Sequence, residues 1–106
     1  MKLGIIISSN DPETVWNAFR LGNFALTRGD AVRVFLLGKG VECEGLDTEC
    51  FAVSAAMQEL VAHGGSIDAC GTCLKLRHAG AGEVCALSTM QDLYELTRDA
   101  DRLLTF

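Results

Sequence analysis

The stretch Leu3–Ser8, which reads LGIIIS, decides the fold class of this 106-residue chain. Its apolar residues follow one another without a polar residue at every second position, a pattern typical of a strand buried on both faces. Such strands belong to parallel sheets that carry helices on both sides. A helix start comes next, because Asp11 can cap it, Pro12 suits the first helical position and Glu13 complements the positive helix end. The sequence therefore begins with a predicted buried strand followed by a helix.

The rest of the chain continues this alternation of strands and helices. The predicted helices are Pro12–Arg28, Glu49–His63, Leu74–Ala79 and a segment that the pair Ser88 and Gln91 caps and that ends near Asp99. The predicted later strands are Ala31–Leu37, Ser66–Ala69, Val84–Leu87 and Leu103–Phe106, and Val41–Glu49 is predicted to be a polar loop. Five strands and four helices in this order indicate the α/β class, as a three-layer α/β/α fold with a five-stranded, mainly parallel sheet. At this length, residues 1–106 are expected to form a single domain.

Composition and charge exclude several classes of partner. The formal net charge of −5 repels phosphate backbones and anionic lipid, so neither nucleic acid nor a membrane surface is an expected partner. The apolar run near the start is far shorter than a membrane span, and it lacks a basic leader and a small-residue cleavage site. We therefore expect a cytoplasmic protein.

The chain has five cysteines, an odd number, without the features of a secreted disulfide scaffold. Cys85 falls inside the predicted fourth strand, where a small apolar core residue is expected. Cys43 and Cys50 lie in and just after the predicted polar loop, and either could act in relay with another thiol or have no chemical role. The remaining two cysteines form a motif.

Cys70-Gly71-Thr72-Cys73 follows the predicted third strand and precedes a short helix. Ligands of open parallel sheets bind outside the carboxyl ends of the strands, so the motif lies on the edge where function is expected. A cysteine at a helix start meets the positive end of the helix dipole, which stabilises a thiolate, and this is the position of Cys70. Cys73 lies on the same side of the first turn and can act as a resolving thiol.

Nearby positive charges are candidates for stabilising such a thiolate. Lys39, Lys75 and Arg77 all qualify, although each taken alone is more simply a solvated surface charge. His63 is expected to complement a helix C-terminus and His78 to be exposed, so neither is assigned as a catalytic base.

Other interpretations of the motif stay open. The pair can be coincidental or buried, and Cys43, Cys50, Cys70 and Cys73 could together bind zinc, although the first two are spaced more widely than in structural zinc sites. A non-enzymatic subunit could instead bind a small ligand, or assemble with a partner, through the polar edge at Ser8-Ser9-Asn10. No cofactor and no metal are predicted. Flavin binding is not expected, because the first loop lacks the glycine and the run of hydroxyl residues expected around a flavin phosphate.

The sequence resembles the DsrE/DsrF-like family, which includes the TusD-type sulfur relay subunits. The resemblance covers nearly the whole chain and rests on Lys2–Ile7, Val34–Val41 and, most specifically, Ala69–Arg77. In the family, the cysteine after the third strand is the sulfur acceptor and a basic residue follows seven positions later, which corresponds to Cys70 and Arg77 here. Family members commonly have Arg-Gly at this end, whereas this chain has Arg77-His78, so the following loop is expected to differ.

The resemblance implies a protein that carries sulfur. Any catalytic activity that it implies is at most that of a sulfurtransferase-like carrier. Cys70 would accept sulfane sulfur as a persulfide and pass it to a partner protein, while Arg77 and the helix start stabilise the anion. It also implies sulfur donor and acceptor proteins as partners and a homo-oligomer or a ring of related subunits. TusD-type subunits lack the second cysteine, so Cys73 could assist release and leave a disulfide. The alternative is therefore a thiol–disulfide redox module that uses Cys70 and Cys73.

Overall fold

A five-stranded parallel sheet forms the centre of the computed structural model, which describes residues 1–78 and 84–106. The strands are β1 (Lys2–Ile7), β2 (Ala31–Leu36), β3 (Ser66–Cys70), β4 (Ala86–Ser88) and β5 (Arg102–Thr105). Their order across the sheet is β4-β3-β2-β1-β5, and every neighbouring pair is parallel. The α/β class and the parallel sheet predicted from the buried run at the start of the chain are thus confirmed.

The helices are α1 (Pro12–Thr27), α2 (Val53–Ala62), α3 (Gly71–Leu76) and α4 (Met90–Asp99), and a 310 helix spans Gly38–Gly45. The first helix begins where the sequence predicts, because the Thr14 backbone N–H donates to the Asp11 carboxylate at 2.9 Å. It ends before Gly29, whose φ of +87° is the left-handed conformation that favours glycine.

Helices cover both faces of the sheet. Alternate residues of β1, β2 and β3 pack against α1 and α2 and form the main core, which includes Ile5, Val34 and Ile67. The opposite face carries a smaller cluster in which Phe35 of β2 and Leu96 of α4 are fully or almost fully buried. These two apolar layers enclose the sheet, as the continuous hydrophobic strands predict.

The segment after β2 differs from its prediction as a polar loop. It folds as the 310 helix, because Gly38 takes up a left-handed φ of +56° and the Gly40 backbone lies directly against the end of β1. The next helix begins at Val53, later than the predicted Glu49. The Thr48 side chain accepts from the Phe51 N–H at 3.0 Å and thereby closes a turn in the segment before α2.

The region around the two-cysteine motif also differs in detail. The short helix begins at Gly71, directly after β3, and not at Leu74; its predicted end at Ala79 and the predicted turn at 80–82 lie outside the described residues. The fourth strand is shorter than predicted. The fourth helix is capped by Thr89 and Asp92 in place of Ser88 and Gln91, because the Asp92 carboxylate accepts from the Thr89 N–H at 3.0 Å.

Across the described ranges 1–78 and 84–106, every helix is too short or too polar to cross a membrane.

The close approach of Gly40 to β1 predicts a large effect of a small substitution. A Cβ at this position would overlap the Ile7 carbonyl oxygen, whereas a Cβ at Gly45 of the same 310 helix would meet no atom within 4 Å. We expect Gly40→Ala to lower the free energy of unfolding by about 2 kcal/mol or more, because a backbone must move to relieve the overlap. Urea denaturation measures it, with Gly45→Ala as the control that stays neutral or slightly stabilises. Equal stabilities of the two variants would contradict this packing.

Candidate functional site

An open cleft of about 540 Å³ lies at the carboxyl ends of β3 and β4, beside α3. Parallel strands end at the same edge of a sheet, which is why the loops and helix starts converge here. The cleft has polar and apolar walls, and both cysteines of the motif line it. Its lining includes Leu37, Cys70, Thr72, Cys73, Lys75, Leu87, Ser88, Thr89 and Met90.

Cys70 lies at the junction of β3 and α3. It is the last residue of the strand, pairs in register with Ser88 of β4, and is also the residue that precedes the first turn of the helix. Its side chain packs with Phe35 and Leu96 and is only 5% exposed. The cleft therefore reaches a thiol that is mostly enclosed by apolar side chains.

Cys73 is more accessible than Cys70 and has a hydrogen-bond partner. The Gly38 backbone N–H donates to the Cys73 Sγ at 3.2 Å, across a separation of 35 residues. The left-handed backbone of Gly38 belongs to the turn that leads from β2 into the 310 helix. The contact places a backbone hydrogen-bond donor directly on the sulfur of Cys73.

Arg77 follows α3 and contacts the 310 helix. Its Nε donates to the Glu42 carboxylate at 2.9 Å, and its Nη1 donates to the Cys73 carbonyl oxygen at 3.2 Å. The guanidinium therefore binds a carboxylate and a helix end and lies on the side of α3 that carries Cys73. The hydrogen bond from Arg77, with a smaller contribution from Asn10, lowers the pKa of the Glu42 carboxyl below its ordinary value.

The polar edge at Ser8-Ser9-Asn10 is engaged in hydrogen bonds within the chain. The Ser8 N–H donates to the Phe106 carbonyl at 2.9 Å, and the Ser9 hydroxyl accepts from the Asp11 N–H at 3.0 Å. The Asn10 amide donates to Glu42 at 3.5 Å. These contacts connect the end of β1 to Phe106, to the start of α1 and to the 310 helix.

The other three cysteines are separate from the cleft. Cys43 is buried and donates to the Gly40 carbonyl at 2.7 Å, and burial raises the pKa of its thiol to about 12. Cys85 precedes β4 and is buried in the main core, as expected of a small apolar residue, and burial also raises its pKa. Cys50 is exposed, and all five thiols are free.

The described residues do not assemble the four-cysteine zinc alternative. Within 1–78 and 84–106, no three His, Cys, Asp or Glu side chains come together in a way that could hold a metal ion. Cys43 faces the main core while Cys70 and Cys73 line the cleft, because the 310 helix turns the Cys43 side chain inward.

The histidines and the remaining cations have ordinary positions. His63 Nδ1 lies 2.8 Å from the Glu59 carbonyl oxygen at the end of α2, which is the helix C-terminal position expected for this histidine. His78 is exposed and has a left-handed φ of +52°, directly before the first residue outside the described range. Lys39 is exposed on the 310 helix, and Lys75 lines the cleft.

Sequence reasoning missed the contribution of the 310 helix to the site. Gly38 contacts Cys73 of the motif and Glu42 contacts Arg77 after α3, and each lies 35 residues from its partner. The closely spaced glycines at Gly38 and Gly40 were a usable signal, because glycine recurs where backbones approach closely. Nothing in the local sequence around Glu42 indicates Arg77 as its partner.

Comparison with known proteins extends over the whole chain. A model of the DsrE/DsrF-like family matches residues 1–106, which confirms the resemblance drawn from the motif. The uncharacterized protein MJ0989 of Methanocaldococcus jannaschii is 29% identical, with the full length of both chains covered.

Two solved structures have the same fold. The ychN protein of E. coli superposes with a TM-score of 0.85 at 24% identity, with all of both chains covered. BT1422 of Bacteroides thetaiotaomicron, a conserved protein of unknown function, superposes with a TM-score of 0.80 at 21% identity, and the match covers 99% of this chain and 94% of that one. At these identities, the likeness shows the fold alone.

Burial of Cys43 predicts a thiol that does not react in the folded protein. With a pKa near 12, this thiol stays protonated at pH 8, and only the thiolate is an effective nucleophile. We expect iodoacetamide at pH 8 to modify the exposed Cys50 while Cys43 is modified only after unfolding in urea. Mass spectrometry of the digested protein measures both sites. Equal modification of Cys43 and Cys50 in the folded protein would contradict the assigned burial.

Proposed function

Because the chain belongs to the DsrE/DsrF-like family, we propose that it is a sulfur carrier in which Cys70 accepts a sulfane sulfur as a persulfide and passes it to a partner. One observation carries the proposal: both thiols of the family motif line an open cleft at the carboxyl edge of the sheet. The cleft is where an α/β sheet of this kind binds ligands, and Cys70 there is accessible from one direction.

The loading step requires only a persulfide donor. The Cys70 thiolate attacks the outer sulfur of the donor persulfide, a new S–S bond forms at Cys70, and the donor's own S–S bond breaks. The bonding electron pair and the charge leave with the donor as its thiolate. No external oxidant or reductant is needed, because the transferred sulfur keeps its oxidation state.

Release follows by attack of a second thiolate. An acceptor thiolate attacks the outer sulfur of the Cys70 persulfide, takes up that sulfur and returns Cys70 as a thiolate. Cys73 offers a second route: its thiolate attacks the inner sulfur, a Cys70–Cys73 disulfide forms, and the outer sulfur leaves as hydrosulfide. A dithiol reductant must then restore the pair. The hydrogen bond from Gly38 supports Cys73 in this resolving role.

Arg77 is the proposed electrostatic partner of the sulfur anion. It lies four residues after Cys73 along the same side of α3, and a guanidinium keeps its charge at every physiological pH. Persulfides are anionic near neutral pH, so a fixed positive charge beside the motif favours the loaded state.

The proposed partners are sulfur donor and acceptor proteins and further copies of this chain. Large apolar side chains are exposed around the cleft, including Leu76, Leu87 and Met90, and such side chains favour association with another protein surface. A solution mass above the 11.4 kDa of one chain, measured by light scattering, would support the homo-oligomer, and a mass equal to it would exclude it. Free thiols suit a reducing compartment, so we propose a cytoplasmic location.

A redox module is the second candidate, because Cys70 and Cys73 share the cleft. The reaction would be exchange with a partner disulfide: the partner is reduced to a dithiol while Cys70 and Cys73 lose two electrons and form a disulfide. This route transfers electrons and no sulfur atom, which makes the two candidates distinguishable by mass.

The test is sulfur loading measured by intact-protein mass spectrometry. Reduced protein is treated with cysteine persulfide, the reagent is removed, and wild type is compared with Cys70→Ser, Cys73→Ser and Cys50→Ser. We expect wild type and Cys50→Ser to gain one sulfur atom and Cys70→Ser to lose this gain at least about tenfold, because the acceptor thiolate is absent. Cys73→Ser should load and keep its sulfur longer than wild type, because the resolving thiol is missing.

Two outcomes would contradict the proposal. Loading of Cys70→Ser to the level of wild type would move the acceptor to another thiol. A wild type that loses two hydrogens without gaining sulfur, together with a Cys73→Ser variant that also gains no sulfur, would favour the redox module.

A further inference from the structure

The ion pair between Glu42 and Arg77 joins the 310 helix to the end of the two-cysteine helix. We propose that Glu42 is a positioning residue that restrains Arg77 on the 310 helix and thereby limits the reactivity of the cleft thiols until a sulfur anion competes for the guanidinium. The inference deepens the proposed sulfur-carrier function and rests on it for its biological meaning. Its chemical content, the effect of Glu42 on thiol reactivity through Arg77, can be tested separately.

The guanidinium of Arg77 is held from two sides. Its Nε donates to the Glu42 carboxylate at 2.9 Å and its Nη1 donates to the Cys73 carbonyl oxygen at 3.2 Å. Residues four apart on a helix are neighbours, so the side chain of Arg77 extends back along the side of α3 that carries Cys73. The positive charge therefore lies at the backbone of Cys73, with a negative charge directly bound to it.

Glu42 is itself held in place and stays ionised. The Asn10 amide donates to the second carboxylate oxygen of Glu42 at 3.5 Å, so the loop after β1 also holds the Glu42 side chain in position. The hydrogen bonds from Arg77 and Asn10, together with the charge of Lys39, lower the pKa of the Glu42 carboxyl. At neutral pH the carboxylate thus competes continuously with any thiolate or persulfide anion for Arg77.

The ion pair is exposed enough to be exchanged. The side chains of Arg77 and Glu42 are 31% and 41% exposed, and ion pairs at the protein surface are weak because water screens both charges. A sulfur anion on Cys73 would be a second partner for the same guanidinium, which already contacts the backbone of that residue. Release of Glu42 would then place an uncompensated positive charge next to the loaded sulfur.

Other charges surround the motif and remain unchanged in the test. The charged side chains on α3, on β3 and on the 310 helix are Lys39, Glu42, Glu44, Asp68, Lys75 and Arg77, and Asp92 of α4 accepts a hydrogen bond from the cleft residue Ser88. Asp68 pairs with Arg33 and Asp92 accepts from Ser88, and neither contacts Arg77 in the described part of the chain. Glu42 is the carboxylate whose removal changes the partner of the guanidinium.

The experiment measures the rate of iodoacetamide modification at Cys70 and Cys73 as a function of pH, with peptide mass spectrometry resolving the two sites. We expect Glu42→Gln to increase the rate at pH 7 roughly three- to tenfold and to move the profile to lower pH, because Arg77 becomes free to stabilise a thiolate. Glu49→Gln changes the net charge equally but lies outside the 310 helix, and it should leave the profile unchanged.

The Arg77→Gln background tests the route of the effect. If Glu42 acts through Arg77, the fold increase in alkylation rate caused by Glu42→Gln should be less than half as large in the Arg77→Gln protein as in the protein that keeps Arg77. An unchanged or lower rate in Glu42→Gln, or an equal rise with and without Arg77, would overturn the inference. Alkylation needs no sulfur transfer, so a protein that fails to load sulfur but shows the expected profiles would refute the carrier function and leave the role of Glu42 intact.

Discussion

The close contact between Gly40 and the end of β1 is the constraint on which the candidate site depends. A Cβ there would overlap the Ile7 carbonyl, so only glycine allows the 310 helix to lie this tightly against the carboxyl edge of the sheet. From this position the helix contacts α3 through the Gly38 N–H and through Glu42. The loop that follows β2 thus becomes one wall of the site, and the helix that carries the cysteines is held from its side as well as from the strand below it.

This arrangement gives the two thiols of the motif different environments. Cys70 is enclosed by Phe35 and Leu96 at the base of the cleft, whereas Cys73 is more open and accepts a backbone hydrogen bond. An enclosed sulfur is protected from water and from other thiols, which suits the storage of a reactive persulfide. A more open thiol with a stabilising donor suits the resolving step. The asymmetry of the pair is a physical basis for the proposed sulfur carriage with controlled release.

Local sequence predicted the parts of the fold that local interactions determine. The run Leu3–Ser8 predicted a buried parallel strand, Asp11 predicted the start of α1, and the motif at Cys70 predicted a site at the end of β3. The 310 helix was missed because its geometry depends on contacts with β1 and α3 that lie far away in the chain. The pairing of Glu42 with Arg77 was missed for the same reason, since surface charges at such a separation carry no periodic signal. Tertiary contacts, rather than propensity, determine this wall of the cleft.

A crystal structure of the protein after treatment with cysteine persulfide tests the central claim most directly, because it locates the transferred atom. We expect one additional sulfur bonded to Cys70 Sγ and directed into the cleft, with Cys73 still a free thiol. An additional sulfur on Cys50 or another cysteine, or no additional sulfur on Cys70 when Cys73→Ser is treated in the same way, would contradict it.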